Sequence, residues 1–453
     1  MQPIDHIVVL MFENRSFDHM LGAIPGVDGT RGLPPKINTD DGGTNYGQQE
    51  MTDPIISPDP KHELQNVLFQ LQNQNGNFIR DYSRQYPTSS KADRQRIMNF
   101  YRLGFLDALH ALAQSFTVCD RWFSSVPGPT WTNRFFVHTG TSIGRVKMPE
   151  GVFNPNLHDY NQDTIYDRLN ERGVPWKVYF GDIPQSFVLT HQRQIRNAIH
   201  CHGMAQFFRD ANGAADAFPA YSFIEPNYFQ ANQNDDHPPH DALRAQRLLA
   251  SVYSALRSNA RLWASTLFVV LYDEHGGLFD HVPPPPAVPP DGHNEEYTFD
   301  RLGVRVPAVL VSPWVAHRVD STVYDHTSLL HYVIDRWNLR PLTARVSAAT
   351  PITGAIRTSG PPRDDTPAGL ALASGARVTT LLDVEQESDA QLNEHQRALI
   401  AFSRYLENEL DDDPSAKNER SMAMLEGVGA QVEVAKRRVN QLIRQQRRKA
   451  GII

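Results

Sequence analysis

Apolar residues of the chain fall into several short, nearly continuous runs that are rich in β-branched side chains. Runs of this kind predict strands that are buried on both faces of a sheet. Four of them are IDHIVVLMF at residues 4–12, PWKVYF at 175–180, TLFVVLYDE at 266–274 and RVPAVLVSP at 305–313. Between these runs, apolar residues recur at the spacing of one helix face, at residues 103–116, 163–173 and 241–259. This alternation predicts an α/β fold, with a mainly parallel central sheet flanked by helices.

Capping residues and irregular stretches add detail to this picture. Asp163 is the predicted N-cap of the second helix, and Gly173 is its predicted stop. Residues 22–60 and 283–300 are rich in Gly, Pro, Asp and Asn, and we expect long loops there. Loops of such length inside a domain commonly form the lid or wall of a functional site.

The composition changes near residue 345. Residues 346–386 are small, polar and contain Pro and Gly, which indicates a linker, and helical patterns follow at 388–410 and 419–448. The last of these helices places Val, Leu and Ile at helical spacing and Lys or Arg elsewhere. Two interpretations fit this pattern. We favour a helix that packs on the main domain or on a partner subunit. The alternative is a basic helix that lies on an anionic membrane surface. The predicted domains are residues 1–345 and a linker plus helical C-terminal region, 346–453.

Composition bounds the class of protein. The chain has 453 residues, of which 40% are hydrophobic and 21% charged, as in ordinary globular proteins. Its net charge of −7 argues against a nucleic-acid partner, because no basic field covers the whole molecule. Cys119 and Cys201 are too few for a disulfide scaffold, and we expect two buried free thiols, with a single bridge as the alternative.

Targeting segments are not evident in the sequence. The N-terminus begins directly with the first predicted strand, with no basic and apolar leader pattern. No stretch is long and apolar enough to predict a transmembrane helix. The location is therefore left open between the cytoplasm and export, with a leader removed or by a non-classical route. The oligomeric state is not predicted.

Acidic and amide side chains follow two of the predicted strands. Glu13 and Asn14 come after the first, and Asp273 and Glu274 after TLFVVLY. If these strands are neighbours, the side chains meet beyond the carboxyl ends of the sheet, where such folds bind ligands. Clustered carboxylates repel unless a cation lies between them, and oxygen ligands suit Ca²⁺, Mg²⁺ or Mn²⁺, whereas added His ligands favour Zn²⁺. The alternative is a buried ion-pair network with Arg15, Arg134 or Arg305.

Thr130 lies in GPTWTNRFF, where Gly and Pro break the chain before a helical pattern resumes. A hydroxyl at a helix N-terminus is well placed for phosphate chemistry, because free N–H groups and the helix dipole favour an anion there. Asn133 and Arg134 could hold phosphoryl oxygens. The alternative is that Thr130 is a simple N-cap.

Histidines are numerous, with 18 in the chain. His237, His240, His281 and His326 each neighbour an aspartate, an arrangement that suits general acid–base chemistry. A plain surface position is the alternative for each of them.

Five blocks together resemble a known family. They are ENRSFDHMLG (13–22), TWTNR (130–134), NDDHP (234–238), YDEHGGLFDHV (272–282) and GVRVPAVLVSP (303–313). They resemble, in order, the bacterial and plant phosphoesterase family, which includes non-specific phospholipases C and an acid phosphatase and belongs with the alkaline-phosphatase-like hydrolases. The resemblance covers about residues 1–340, so residues 1–345 would be the phosphoesterase catalytic domain.

The resemblance implies roles for individual residues. Glu13, Asn14, Asp273 and Glu274 would bind one divalent metal ion, either Ca, Mg, Mn or Zn, with Arg15, Ser16 and Asp18 holding the metal loop in place. Thr130 would be the nucleophile, with Asn133 and Arg134 beside it and His237 and His281 as acid–base residues. His62, His240 and His326 would line the substrate pocket. The family block reads Ser/Thr-x-Pro-Asn-Arg, whereas here Thr132 replaces the proline and adds a second hydroxyl.

The function implied is metal-dependent phosphoester hydrolysis. The expected enzyme is a phospholipase C that cleaves glycerophospholipids to diacylglycerol and a phosphorylated head group through a phospho-threonine intermediate. The long loops and the basic C-terminal helix would serve peripheral contact with a membrane. An acid phosphatase acting on phosphomonoesters is the first alternative, and a non-catalytic protein that binds metal or lipid head groups is the second. A Ser-His-Asp esterase is disfavoured because no GxSxG elbow follows a predicted strand.

Overall fold

The computed structural model describes residues 3–30, 34–149, 159–229, 233–372, 392–406, 409–410 and 428–453. Its centre is an eight-stranded sheet. The strands of this sheet are β1 (His6–Phe12), β6 (Thr117–Cys119), β7 (Trp176–Phe180), β8 (Cys201–Gly203), β9 (Tyr221–Glu225), β10 (Thr266–Tyr272), β11 (Ala308–Val311) and β12 (Arg318–Asp320). Their order across the sheet is β12-β6-β11-β10-β1-β9-β7-β8. All pairings are parallel except the two made by β11. The predicted α/β fold with a mainly parallel sheet is confirmed.

Two small sheets and a set of helices surround this centre. The small sheets pair β2 (Ile37–Thr39) with β3 (Asn45–Gly47), and β4 (Glu50–Met51) with β5 (Phe100–Tyr101). The helices before the C-terminal region are α1 (Phe17–Leu21), α2 (Leu64–Gln70), α3 (Gln72–Asn75), α4 (Phe78–Gln85), α5 (Lys91–Met98), α6 (Asp107–Ala113), α7 (Thr130–Thr139), α8 (Ile165–Glu171), α9 (Thr190–Arg193), α10 (Ile195–Ala198), α11 (Met204–Ala211), α12 (Ala242–Ser258), α13 (Ala260–Trp263), α14 (His326–Trp337) and α15 (Ala344–Ala348). Short 3₁₀ turns lie at Gln185–Val188, Ala215–Ala217 and Ile352–Ala355.

The two central strands set the position of the site. Every residue of β1 and β10 is buried, which explains why both read as continuous apolar runs. They are parallel neighbours in a register that pairs Phe12 with Tyr272. The next residues, Glu13 and Asp273, therefore leave the sheet side by side at its carboxyl edge.

Several local predictions need correction. The N-cap of α8 is Thr164, because its hydroxyl accepts from the Asp167 N–H and Asp167 bonds back, whereas Asp163 lies one residue too early. Strands β6, β8, β9 and β12 were not predicted. β6, β8 and β12 have only three residues each, and in β9 Ser222 and Glu225 interrupt the apolar run. The predicted loop at 22–60 contains β2, β3 and β4, while 283–300 forms no helix or strand.

Both predicted C-terminal helices are present, as α16 (Glu394–Tyr405) and α17 (Val428–Lys449). Residues 373–391, which include the last part of the predicted linker at 346–386, and residues 407–408 and 411–427 lie outside the described part of the chain. Helix α17 packs on α16 and α10 and buries Val439 and Leu442 completely. The packed arrangement that we favoured for this basic helix is thus the one observed. Among the described residues, no helix has the length and apolarity needed to cross a bilayer.

Candidate functional site

The carboxyl edge of β1 and β10 gathers three buried carboxylates. Glu13, Asp273 and Glu274 are all completely buried. The backbone N–H of Asn14 donates to Asp273 Oδ1 at 3.0 Å, which ties the two strand ends together. Both carboxylate oxygens of Glu13 and Oε1 of Glu274 have no hydrogen-bond partner. Burying carboxylate oxygens without a partner is costly, and ligation of a cation would remove that cost.

The loops that present these residues depend on an unusual backbone. Asn14 has a φ of 55°, in the left-handed region that asparagine tolerates better than most residues. Gly276, which follows Glu274, has a φ of +63°, and a Cβ added to it would lie 2.1 Å from the Asn14 carbonyl oxygen. Only glycine therefore lets the two loops approach each other here.

Arg134 on α7 supplies a single positive charge to the cluster. Its Nε donates to Asp273 Oδ2 at 3.0 Å, and its Nη2 lies 3.3 Å from Glu13 Oε1. The ion-pair alternative is thus present in part. This guanidinium pairs with Glu13 and Asp273, yet both oxygens of Glu13 and Oε1 of Glu274 still have no hydrogen bond. These residues fit one divalent cation with oxygen ligands.

Burial and neighbouring charges shift the pKa values of these three carboxyl groups. Burial raises the pKa of Glu13 well above its ordinary value and that of Asp273 to about 6. Burial also acts upward on Glu274, but the charge of His62 and the contacts with His275 outweigh it and keep its pKa below the ordinary value. A bound divalent ion would favour the anionic form of all three groups.

Thr130 is the first residue of α7, and its hydroxyl donates to Asn14 Oδ1 at 3.1 Å. The N-cap is Pro129, so Thr130 is not the capping residue that the alternative interpretation required. The second hydroxyl of the motif points elsewhere, because Thr132 Oγ1 donates to the Arg145 carbonyl at 3.4 Å. The structure therefore brings Thr130, and not Thr132, next to the candidate metal ligands.

Asn133 contacts backbone groups, whereas the sequence suggested that it holds phosphoryl oxygens. Its amide nitrogen donates to the carbonyl oxygens of Val126, Gly128 and Pro129, and its oxygen accepts from the Val126 N–H at 3.0 Å. These bonds use the whole side chain to brace the loop that leads into Thr130. It is placed to position the hydroxyl and not to hold phosphoryl oxygens.

His62 and His237 lie at the same site, with their rings 5.8 Å apart. His62 Nε2 accepts from the Asn14 amide at 3.1 Å and lies 3.8 Å from Glu274 Oε1. It also contacts the carboxylate of Glu394, as does His237 Nε2 at 3.2 Å. His62, which the resemblance placed in the substrate pocket, is therefore in direct contact with the candidate metal ligands.

The remaining histidines occupy other positions. His240 Nδ1 is 2.6 Å from Asp235 Oδ1 and its ring is 6.0 Å from that of His237. His326 donates from Nε2 to the Asp273 carbonyl at 2.7 Å and supports the end of β10 from behind, and burial lowers its pKa to about 4.

His281 is not brought together with Thr130 by any described contact. Its ring nitrogens lie 2.8 Å from Asp18 and 3.1 Å from Asp28, within a network that also includes Arg305. Because these partners occupy both ring nitrogens, His281 is placed to brace the loop after β10. Its predicted acid–base role has no geometric support here.

The loop after β1 is held as the resemblance implied. Arg15 Nε donates to the Asp236 carbonyl at 2.6 Å, and the Ser16 hydroxyl donates to the Phe279 carbonyl at 2.7 Å. Asp18 accepts from Arg305 Nη2 at 2.9 Å. These bonds fasten the loop to the segments after β9 and β10.

Two residues of the site were not predicted from the sequence. Glu394 and His395 are the first residues of α16, in the C-terminal region, and both are buried at the site. His395 Nε2 lies 3.5 Å from Glu13 Oε1. The N-cap Asn393 predicts a helix start, but no local pattern connects this helix to a strand end some 380 residues away in sequence.

Known proteins resemble this chain over most of its length. A sequence profile described as the Phosphoesterase family matches residues 4–340. Non-specific phospholipase C6 of Arabidopsis thaliana is 33% identical over 433 residues, covering 89% of this chain and 81% of that protein. Non-hemolytic phospholipase C of Pseudomonas aeruginosa is 28% identical over 399 residues, covering 75% of this chain and 54% of that protein.

Among solved structures, one that matches this chain is described as a protein in the alkaline phosphatase superfamily from Vibrio parahaemolyticus. It is 11% identical, with a TM-score of 0.34, and the match covers 77% of this chain and 70% of that protein.

Proposed function

Because the chain belongs to the Phosphoesterase family and is a phosphoric ester hydrolase, we propose that it is a metal-dependent phospholipase C. It would cleave glycerophospholipids to diacylglycerol and a phosphorylated head group through a phospho-threonine intermediate. The observation that carries this proposal is the hydroxyl of Thr130, which lies 3.1 Å from Asn14 Oδ1 at the start of α7.

Four residues would hold the metal, namely Glu13, Asn14, Asp273 and Glu274. Their support is the oxygen-only donor set and the unpartnered oxygens of Glu13 and Glu274. When bound, a divalent ion would lower the pKa of the neighbouring hydroxyl and neutralise charge on the phosphoryl group.

Residues of the chain would carry out attack on phosphorus and protonation of the leaving group. Thr130 Oγ1 attacks phosphorus in line with the glycerol oxygen, and the N–H groups at the start of α7 stabilise the phosphoryl oxygens. His237 is the best-placed group to protonate the departing diacylglycerol oxygen, because it lies beside His62 at this site while His281 does not. Water then cleaves the ester between Thr130 and the head-group phosphate, which restores the hydroxyl.

The choice of a diester over a monoester rests on relatives. Those compared above, from a plant and from a bacterium, are named phospholipases C. An acid phosphatase would use the same residues on a phosphomonoester, so the geometry of the described residues does not separate the two. A non-catalytic binding protein is disfavoured because Thr130 and all four metal ligands are retained.

Substrate assays on matched variants test this proposal. The substrates are p-nitrophenyl phosphate, p-nitrophenyl phosphorylcholine and phosphatidylcholine vesicles, each measured with and without a chelator. We expect chelator-sensitive cleavage of the diester and the lipid, reduced at least about 1,000-fold in Thr130→Ala, since the nucleophile itself is lost. Thr132→Ala is the matched control and should keep most of the activity, because its hydroxyl faces the Arg145 carbonyl.

Other outcomes would redirect the proposal. Cleavage of the monoester alone would identify an acid phosphatase. Near-normal turnover by Thr130→Ala would reject the phospho-threonine mechanism. A folded protein that cleaves none of the substrates in the presence of divalent ions would favour the binding protein.

A further inference from the structure

A cleft lies at the opposite end of α7 from the candidate active site, and we call it the α7 cleft. Its volume is about 820 Å³, within the usual range for sites that bind small organic molecules. Thr139, the last residue of α7, lines the cleft, whereas Thr130 begins the helix at the active site. A helix of ten residues is about 15 Å long, so the two sites are separate. The described lining residues come from the segments 139–145, 159–163, 290–295 and 341–347.

Hydrogen bonds fasten these four segments to one another. The Thr141 hydroxyl donates to Asp291 Oδ2 at 2.5 Å, and the Gln162 amide donates to the Thr141 carbonyl at 3.4 Å. The Thr343 hydroxyl donates to the Gly140 carbonyl at 3.2 Å. Each of the other segments is thus bonded to the one that follows α7. The α7 cleft is therefore held open by the fold itself, as in sites that are formed before their ligand binds.

Negative charge predominates in the α7 cleft. The described lining contains four carboxylates and a single arginine, Arg145. Two of the carboxylates, Asp163 and Glu295, lie within 3.2 Å of a basic side chain. Within the described part of the chain, Asp159 and Asp291 form no ion pair, and the groups that donate to them are hydroxyls and a backbone N–H. This excess of negative charge favours a cationic ligand.

Gln162 is an independent indication that a ligand donates hydrogen bonds in this cleft. Its side chain is part of the lining and only 9% exposed, and its Oε1 has no hydrogen-bond partner. The bond from Nε2 to the Thr141 carbonyl fixes the amide, so Oε1 is the atom left to accept. A buried acceptor without a donor is costly, and an ammonium N–H would satisfy it.

The lining also distinguishes between kinds of cation. Of the lining residues that the structure describes, none is aromatic, which disfavours a quaternary ammonium group that would bind on aromatic faces. Asp159, Asp291 and Glu295 belong to none of the groups of described side chains that are close enough to hold a metal ion. Ile143 and Leu342 add apolar surface beside the carboxylates. An organic chain of methylene groups that carries several amino groups matches this combination.

We propose that the α7 cleft binds a linear polyamine. Its ammonium groups donate to Asp159, Asp291 and Oε1 of Gln162, and its methylene groups pack on the apolar part of the lining. The segments on which these groups lie meet beside the last turn of α7. This inference goes beyond the proposed function and does not depend on which phosphoester is cleaved.

Titration calorimetry with spermidine tests the proposal on the full-length chain at physiological ionic strength. We expect saturable binding of one spermidine per chain. Asp291→Asn should weaken it about 10-fold, because a charge-assisted hydrogen bond is lost. Asp364→Asn is the matched control and should leave the affinity nearly unchanged, since Asp364 is exposed and is not part of the lining.

A second pair of variants blocks the cleft without removing any of its hydrogen bonds to the ligand. Ser347 lines the cleft and is exposed on α15, so Ser347→Arg is compatible with the fold and places a positive charge where the ligand lies. It should weaken spermidine binding by more than about 10-fold. Ala348→Arg adds the same charge at the next position, outside the lining, and should retain the affinity. The circular dichroism spectrum of each variant establishes whether it is folded.

Several outcomes would overturn the proposal. One is the absence of saturable binding to the folded wild type. Equal weakening by Ser347→Arg and Ala348→Arg would mean that spermidine responds only to the overall charge. Binding that is lost in Glu13→Gln but kept in Ser347→Arg would place spermidine at the candidate active site instead. Choline that binds as tightly as spermidine would show that N–H donors are not what the cleft recognises.

Discussion

Glu13 is completely buried and neither of its carboxylate oxygens has a hydrogen bond, although Arg134 and His395 lie within 3.5 Å of one of them. Proteins do not normally bury such a group without compensation, because the desolvation of a carboxylate costs several kcal/mol. The metal-binding role proposed for Glu13 removes that anomaly. The same argument applies to Oε1 of Glu274.

Gly276 provides a test of the backbone that holds these ligands. Gly276→Ala should lower the free energy of unfolding by about 2 kcal/mol or more, since its φ of +63° disfavours a Cβ and the Asn14 carbonyl oxygen lies only 2.1 Å from that atom. Urea denaturation of the metal-free protein measures the change. Gly354→Ala is the control and should be nearly neutral, because its Cβ would meet nothing within 4 Å. Equal effects of the two substitutions would contradict the account of the loop.

Individual site residues were predictable where the sequence immediately before them shows which strand they follow. Glu13 and Asp273 follow apolar runs directly, and neighbouring parallel strands end at one edge, so their meeting could be expected. Glu394 could not be expected, because its partners are 157 or more residues away in sequence. Asn133 was placed correctly in its motif but assigned to the phosphate, since sequence does not show that backbone carbonyls already surround it.

Among elements, the longest strands were the most predictable. β1 and β10 have seven residues each, all buried, and so show an unbroken apolar pattern. β6 has only the three residues Thr117–Cys119, a run too short to show such a pattern. The antiparallel pairing of β11 also could not be expected, because strand direction depends on the path of the connecting chain and not on the strand itself.

Helix α17 allows a prediction at the element scale. Leu442→Ala should lower the free energy of unfolding by about 2–4 kcal/mol, because this side chain is completely buried where the helix packs on the rest of the chain. Arg444→Ala on the exposed face of the same helix should change it by less than about 0.5 kcal/mol. Thermal or chemical unfolding of the two variants gives the comparison. A neutral Leu442→Ala would mean that α17 is not part of the folded core in solution.

At the scale of the whole molecule, two predicted regions meet at one site. Residues 1–345 supply Thr130, Arg134 and the candidate metal ligands, while the C-terminal region supplies Glu394 and His395. The predicted domain boundary stays a prediction, but the described contacts place α16 against the strand ends. Sequence composition suggested a separate extension here, because composition reports solvent exposure along the chain and not long-range contacts.

The overall charge of the molecule explains why the site must concentrate positive charge locally. With a net charge of −7, the chain as a whole repels an anionic phosphoester. Arg134 is the guanidinium nearest Glu13 and Asp273, and both carboxylates already engage it. A bound divalent ion is therefore the group that would make this site attractive to phosphate.

The most direct test of the central claim is to trap the covalent intermediate. The protein, supplied with divalent ions, is quenched with acid during turnover of p-nitrophenyl phosphorylcholine, and its peptides are analysed by mass spectrometry. We predict a phosphorylcholine ester on Thr130, formed together with a burst of p-nitrophenol and absent when chelator is added beforehand. Product formation with no modified peptide containing Thr130, or with the head group attached to another residue, would contradict the account.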